Sequence, residues 1–175
     1  MFITGHGFGK LIRNIPPADS FLRLLPQRTT VRGRYGGRMT GFPQLLHTVL
    51  DTHDVRGLAE FYRQLLGLQY RTGDEPSQQG TADDVDWLVL TDTQGSRKLA
   101  FQQAEHLQRT TWPRPDVPMQ MHLDLTVPDR RALEGQHARA LALGAELLLD
   151  RTDNPDEPLY VYADPAGHPF CIFVA

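Results

Sequence analysis

The chain has 175 residues, of which 40% are hydrophobic and 22% are charged, and its formal net charge is −3. This length allows one domain with a sizeable core, and the acidic balance argues against nucleic acid as a main partner. No apolar run approaches the roughly 20 residues that a membrane-spanning helix needs. The single cysteine, Cys171, excludes an internal disulfide and indicates a reducing, cytoplasmic location.

Residues 1–40 form a basic leader, in which seven Lys or Arg residues stand against one acidic residue, Asp19. Gly and Pro interrupt it throughout, so we expect little regular structure and no secretory signal. Two interpretations stay open: translated upstream sequence with the native start at Met39, or a basic arm without fixed structure. In both cases we expect residues 1–38 to contribute little to stability.

Two similar stretches follow the leader. LLHTVLDTHDVRGL (45–58) and MHLDLTVPDRRAL (121–133) align without a gap when His47 is placed on His122, an offset of 122 − 47 = 75 residues. Each predicts a strand that ends at an aspartate suited to cap a helix, Asp54 or Asp129. Apolar residues at helical spacing then predict one helix per copy, ending at Gly67 or Gly144. The predicted helix stripes are Leu58, Phe61, Tyr62, Leu65 and Leu66 in the first copy, and Leu133, His137, Ala140 and Leu141 in the second.

Three more strands are predicted after each helix. Matching turns, 92–95 and 164–167, separate the last two strands of each copy because both carry an Asp and a Gly at the same positions. A Pro-rich linker joins the copies, so the predicted domain, 41–175, comprises module one (43–104), a linker (105–118) and module two (119–175). The predicted strands are 68–72, 86–92 and 98–104, then 145–151, 159–164 and 169–174.

The order strand–helix–strand–strand–strand, found twice, resembles the vicinal oxygen chelate superfamily, which includes glyoxalase I, extradiol dioxygenases and bleomycin-resistance proteins. The motifs that carry the resemblance are LAFQ (99–102), the Trp112-Pro113 pair, HLDLTV (122–127) and DPAGHPFC (164–171). The resemblance implies an α+β fold of two βαβββ modules. It further implies a cupped eight-stranded mixed sheet with helices on its convex side and a ligand or metal in the cup.

Strand alternation divides the residues between the two faces. Because Met121, Leu123 and Leu125 are apolar, we expect them to face the helix, as we expect of Leu46, Thr48 and Leu50. The polar face then turns toward the cup, and we expect His47 and His122 to share one cavity there. The predicted ligand-binding residues are His47, His122, Asp124, Gln102, Trp87 and His168, with His122 and Asp124 as the catalytic candidates.

The resemblance implies metal ligands on the first and last strands of each module. His47 and His122 match the two first-strand positions. The last-strand glutamates are absent, since one position falls on Cys171 and the other near Phe101-Gln102. Cys171 could ligate a soft metal as a thiolate, but a buried cysteine in an apolar strand is typically a small hydrophobe. We therefore favour a metal-poor cup over a site for Zn, Ni, Mn or Fe.

Three functions follow as hypotheses. The first is a glyoxalase-like protein that binds a small molecule between the modules, with sequestration of the bleomycin-resistance kind as one form of it. The second is a metal-dependent lyase, isomerase or dioxygenase acting on a small oxygenated metabolite. The third is a structural or interaction role with a remnant pocket. A small-molecule ligand is the expected partner, membranes and nucleic acid are not, and a homodimer stays open.

Overall fold

The structure, a computed structural model, describes residues 43–77 and 85–175. The basic leader and Met39 lie outside the described residues, so the expectations for them stay predictions. The same holds for residues 78–84 in the loop of module one. Leu46–Ala175 form one compact unit, and the following description concerns that unit.

The described elements repeat in the predicted order, with a strand, a helix and three strands in each half. The first half has β1 (Thr48–Thr52), α1 (Val55–Leu66), β2 (Gln69–Tyr70), β3 (Trp87–Thr91) and β4 (Arg97–Gln103). The second half has β5 (Leu123–Val127), α2 (Arg130–Ala142), β6 (Glu146–Asp150), β7 (Leu159–Ala163) and β8 (Pro169–Val174).

The eight strands divide into two four-stranded mixed sheets with the same topology, β1-β4-β3-β2 and β5-β8-β7-β6. In each sheet the first strand pairs in parallel with the last, and the other pairs are antiparallel. The predicted α+β fold of two βαβββ modules is confirmed. β5 begins 123 − 48 = 75 residues after β1, which is the offset of the sequence alignment.

The helix starts follow the predicted capping. Asp54 accepts a hydrogen bond from the backbone N–H of Gly57 at 2.8 Å, and Asp129 accepts one from Ala132 at 2.7 Å. Both satisfy a backbone donor that the first helical turn would otherwise leave unpaired. Gly67 ends α1 with a φ of +66°, a conformation that glycine adopts without steric cost.

One hydrophobic core extends across both halves. It includes Leu58, Phe61 and Tyr62 of α1, all at most 4% exposed, which confirms the predicted stripe of the first helix. The Phe61 ring meets the Phe170 ring of β8 edge-on at 6.0 Å between centroids. The helix of one half therefore packs directly against the sheet of the other.

Three expectations about packing are wrong. Leu46 and Met121 are 58% and 55% exposed rather than packed on a helix, because β1 and β5 begin only two residues later, at Thr48 and Leu123. Leu141 of α2 is 41% exposed, so the second helix buries only Leu133 and Ala140. In the described part of the chain, no helix is long and apolar enough to cross a membrane.

Candidate functional site

A cavity of about 430 Å³ is formed by three parts of the chain that are distant in sequence. They are the β1 strand, the two ends of the linker with the residues that lead into β5, and the turn before β8. Its apolar wall includes Val49, Leu107 and Met121, and its polar wall includes Asp51, Arg109, His122 and His168. The lining residues are 49–51, 107–110, 117–123 and 166–169.

The turn before β8 is organised by the buried carboxylate of Asp164. Its Oδ1 accepts hydrogen bonds from the backbone N–H groups of Ala166, Gly167 and His168 at 2.8–2.9 Å. Its Oδ2 accepts one from the Tyr62 hydroxyl at 2.9 Å and lies 3.0 Å from His168 Nδ1. An ionised carboxylate only accepts, so the His168 proton is assigned to Nδ1 and Nε2 is left as an acceptor.

The same turn holds an arginine at the cavity wall. Gly167 has a φ of +101°, and a Cβ there would lie 2.4 Å from Nε of Arg109. The bare glycine thus provides the space in which the Arg109 side chain lies. Arg109 is half-exposed, and its Nη2 is 3.3 Å from Oε2 of Glu146, a weak, solvent-screened pair. The cavity therefore carries a positive charge beside His168.

His122 belongs to a second cluster at the border of the cavity. Its Nε2 lies 3.3 Å from Asp124 Oδ1. Asp124 is in parallel register with Cys171 of β8. One nitrogen, one oxygen and one sulfur from His122, Asp124 and Cys171 all lie within 4.8 Å of one another. Burial, and then the neighbouring Asp124 carboxylate, raise the pKa of the Cys171 thiol to about 12.

The predicted residues of module one lie elsewhere. The His47 ring is 6.1 Å from the Trp87 ring, and Trp87 is in register with Gln102. None of these three side chains lines the cavity that contains His122, contrary to the expectation that both histidines share it. His47 precedes β1 and lies against its own sheet. Its Nδ1 is buried and has no hydrogen-bond partner among the described residues.

The implied metal ligands can be tested against this geometry. The register places Ala100, not Phe101 or Gln102, at the position equivalent to Cys171, since Val49 pairs with Ala100 as Asp124 pairs with Cys171. The sequence alignment missed this because a register shift near Leu90 displaces β4. The donors that do converge are an imidazole, a carboxylate and a thiol of module two. They do not fit the expected two-module histidine site, but they suit a softer ion such as Zn²⁺.

Sequence reasoning missed Arg109, Asp51 and Asp164. Arg109 lies in a linker that was interpreted only as an extended spacer, and a linker's path depends on tertiary contacts. Asp164 was predicted as a turn residue, and its turn geometry is confirmed. Its pairing with Tyr62 could not have been inferred from local sequence, since 102 residues separate the two.

Comparison with known proteins agrees with this architecture. The model of the family described as glyoxalase-like domain matches residues 47–173, which is most of the chain. The chain belongs to the glyoxalase-like domain family. This places it in the vicinal oxygen chelate superfamily, as the sequence motifs predicted. No curated protein matched this glyoxalase-like chain.

Solved structures share the glyoxalase-like fold at low sequence identity. A glyoxalase/bleomycin resistance protein/dioxygenase family enzyme from Burkholderia phytofirmans is 18% identical, with a TM-score of 0.53 over 74% of this chain and 96% of that chain. The fosfomycin resistance protein FosX from Listeria monocytogenes is 15% identical, with a TM-score of 0.55 over 77% and 92%. FosX from Mesorhizobium loti is 12% identical, with a TM-score of 0.53 over 77% and 93%. At these identities the likeness concerns the fold alone.

Proposed function

We propose that the protein binds a small organic anion in the cavity between β1, the linker and the turn before β8. The observation that carries the proposal is the grouping of Arg109, His122 and His168 on the wall of a cavity of about 430 Å³. Small-molecule sites usually have volumes of roughly 300–1,000 Å³ and a few convergent polar groups on an apolar wall.

The wall indicates the class of ligand. A guanidinium binds carboxylate or phosphonate oxygens well because its N–H groups match their geometry. His168 adds an acceptor at Nε2, and Asp51 adds a carboxylate that favours a hydroxyl or ammonium group. The apolar side chains of Val49, Leu107 and Met121 suit a short hydrocarbon body. A compact carboxylate or phosphonate that also carries a hydroxyl or epoxide oxygen fits these groups.

The proposal agrees with the family. Proteins of this fold include FosX, named for resistance to fosfomycin, and an enzyme whose family is named partly for bleomycin resistance. Fosfomycin is itself a small phosphonate, so it is a reasonable probe. Binding without reaction would correspond to sequestration.

The binding test is a titration of the full chain, followed by NMR chemical shifts and by thermal unfolding, with propionate, methylphosphonate, fosfomycin and inorganic phosphate. Propionamide is the neutral control. We expect at least one anion to bind and Arg109→Gln to weaken that binding about tenfold or more, as loss of a charged hydrogen bond implies. Arg114→Gln is the matched control, because Arg114 lies in the same linker but does not line the cavity. Equal affinities in the two variants, or no binding of any anion, would contradict the proposal.

A second candidate is an isomerase or lyase that begins by removing a proton from carbon beside a carbonyl group. The observation in its favour is the His168–Asp164 pair, because a carboxylate that holds Nδ1–H makes Nε2 a better proton acceptor. The test is deuterium exchange into pyruvate in D₂O, measured by NMR. Exchange above the buffer rate that is lost in His168→Gln supports catalysis, and exchange at the buffer rate in the wild type contradicts it.

A further inference from the structure

We propose that His122, Asp124 and Cys171 form a binding site for a zinc-like divalent cation that lies wholly within module two. The proposal is independent of organic-anion binding, since Arg109 and His168 take no part in it. It also differs from the two-module site that the superfamily resemblance implied, in which His47 and His122 act together.

The backbone brings the three donors together. His122 and Asp124 are two residues apart on one extended segment, so their side chains leave it on the same face. Cys171 lies opposite Asp124 on the adjacent parallel strand. Nε2 of His122 is 3.3 Å from Oδ1 of Asp124, and each pair among the three ligand atoms is within 4.8 Å. Ligand atoms bound to one zinc ion at about 2.0–2.3 Å must lie at separations of this order.

Access and charge favour a cation at this place. Cys171 is buried, whereas the side chains of Asp124 and His122 are 51% and 27% exposed, so an ion can approach from the side of the carboxylate and the imidazole. Without a cation, the Asp124 carboxylate disfavours a thiolate beside it, as the raised pKa of Cys171 indicates. A divalent ion offsets both negative charges. Its binding forms one metal–sulfur bond and releases the thiol proton to solvent.

The donor set selects the type of ion. A thiolate with an imidazole and a carboxylate suits Zn²⁺ or Co²⁺ in tetrahedral geometry better than hard ions such as Mg²⁺. Three protein ligands leave one position of a tetrahedron for another ligand. His122 also lines the cavity, so the site borders the space in which an organic molecule would lie.

The equivalent place in module one cannot do the same. There His47 corresponds to His122, but Val49 and Ala100 take the positions of Asp124 and Cys171. These two residues offer no ligand atom in their side chains. His47 therefore provides a matched control, since it is the pseudo-equivalent histidine without the other two donors.

The test is a titration of the chelator-treated full chain with Co²⁺, followed by absorption spectroscopy. We expect one ion per chain and a thiolate-to-cobalt charge-transfer band, which a nitrogen- and oxygen-only site cannot produce. Cys171→Ser should abolish the band, and His122→Ala and Asp124→Asn should each weaken binding at least tenfold. His47→Gln should leave the band and the affinity unchanged.

Two further outcomes are decisive. No stoichiometric binding, binding without the charge-transfer band, or loss of binding in His47→Gln would each overturn the proposal. Cys171 is buried, so its variant could fail to fold. X-ray absorption of the zinc-loaded wild type then gives the answer, since one sulfur neighbour at about 2.3 Å supports the site and a shell of light atoms alone refutes it.

Discussion

Tyr62 of α1 donates its hydroxyl proton to the buried Asp164 carboxylate across 2.9 Å, and this bond joins the helix of module one to the turn of module two. Burial, followed by the charge of Asp164, raises the pKa of Tyr62 well above its usual value, so the hydroxyl remains a donor. The same carboxylate binds His168. A contact between the modules is therefore continuous with the wall of the cavity.

Removal of this hydroxyl should destabilise the fold. Tyr62→Phe deletes a buried hydrogen bond to a charged group, which typically contributes about 1.5–3 kcal/mol, so we expect a loss of about 2 kcal/mol in urea unfolding. Tyr70→Phe is the control, since the Tyr70 hydroxyl also donates to a carboxylate, Glu60, but at a partly exposed site. We expect that control to lose less than about 1 kcal/mol. Equal losses would show that the bond to Asp164 has no special weight.

The two matching turns allow the role of Gly167 to be separated from backbone strain. Gly95 and Gly167 have φ values of +81° and +101°, but a Cβ would meet Arg109 only at Gly167. Alanine at either position should cost about 1–2 kcal/mol of stability, because an L-residue disfavours positive φ. Only Gly167→Ala should also displace Arg109 and weaken binding of the anion that the titration identifies. Identical affinities of the two alanine variants would contradict this.

The thiol of Cys171 should react slowly in the folded, metal-free protein. Its pKa is raised from 9.0 to about 12, first by burial and then by Asp124, and the thiolate is the reactive form. We expect the rate of alkylation by iodoacetamide to keep rising with pH beyond 9.0 without a plateau, while the urea-unfolded chain reaches its plateau near 9.0. Asp124→Asn should lower the pKa of Cys171 but leave it above 9.0, since burial remains.

The shifted thiol also predicts how stability changes in alkali. The folded pKa lies above the unfolded one, so the stability contributed by the neutral thiol is complete below pH 9.0 and is lost as pH rises toward about 12. Cys171→Ala should show a smaller decline of unfolding free energy over this window. A decline as steep as that of the wild type would contradict the assignment.

Acid should act through Glu60 on α1. Its carboxylate accepts hydrogen bonds from Arg63, Gln64 and Tyr70. Those bonds, led by the one from Arg63, lower the pKa of Glu60 from 4.5 to about 2. A depressed pKa contributes stability above pH 4.5 that is lost as pH falls toward 2. Because the side chain is about a third exposed, we expect a loss of only about 1 kcal/mol. Acid titration of unfolding should show this loss in the wild type but not in Glu60→Gln.

Local rules predicted the elements better than the site. Asp54 and Asp129 cap helices through bonds that span three residues, so the sequence alone contains the information. The exposure of Met121 was mispredicted because alternation does not show where a strand begins. Arg109 was missed because its position depends on Gly167, which lies 167 − 109 = 58 residues further along the chain. The site thus depends on long-range contacts that periodicity does not report.

The packing of Phe61 against Phe170 has a consequence for how the two repeats unfold. Each half encloses an aromatic ring of the other, so neither repeat can close its interior alone. Separation of the halves would expose those rings to water, which is costly. The duplicated chain therefore behaves as one cooperative thermodynamic unit, and a calorimetric scan of the body should show a single transition in spite of the internal repeat.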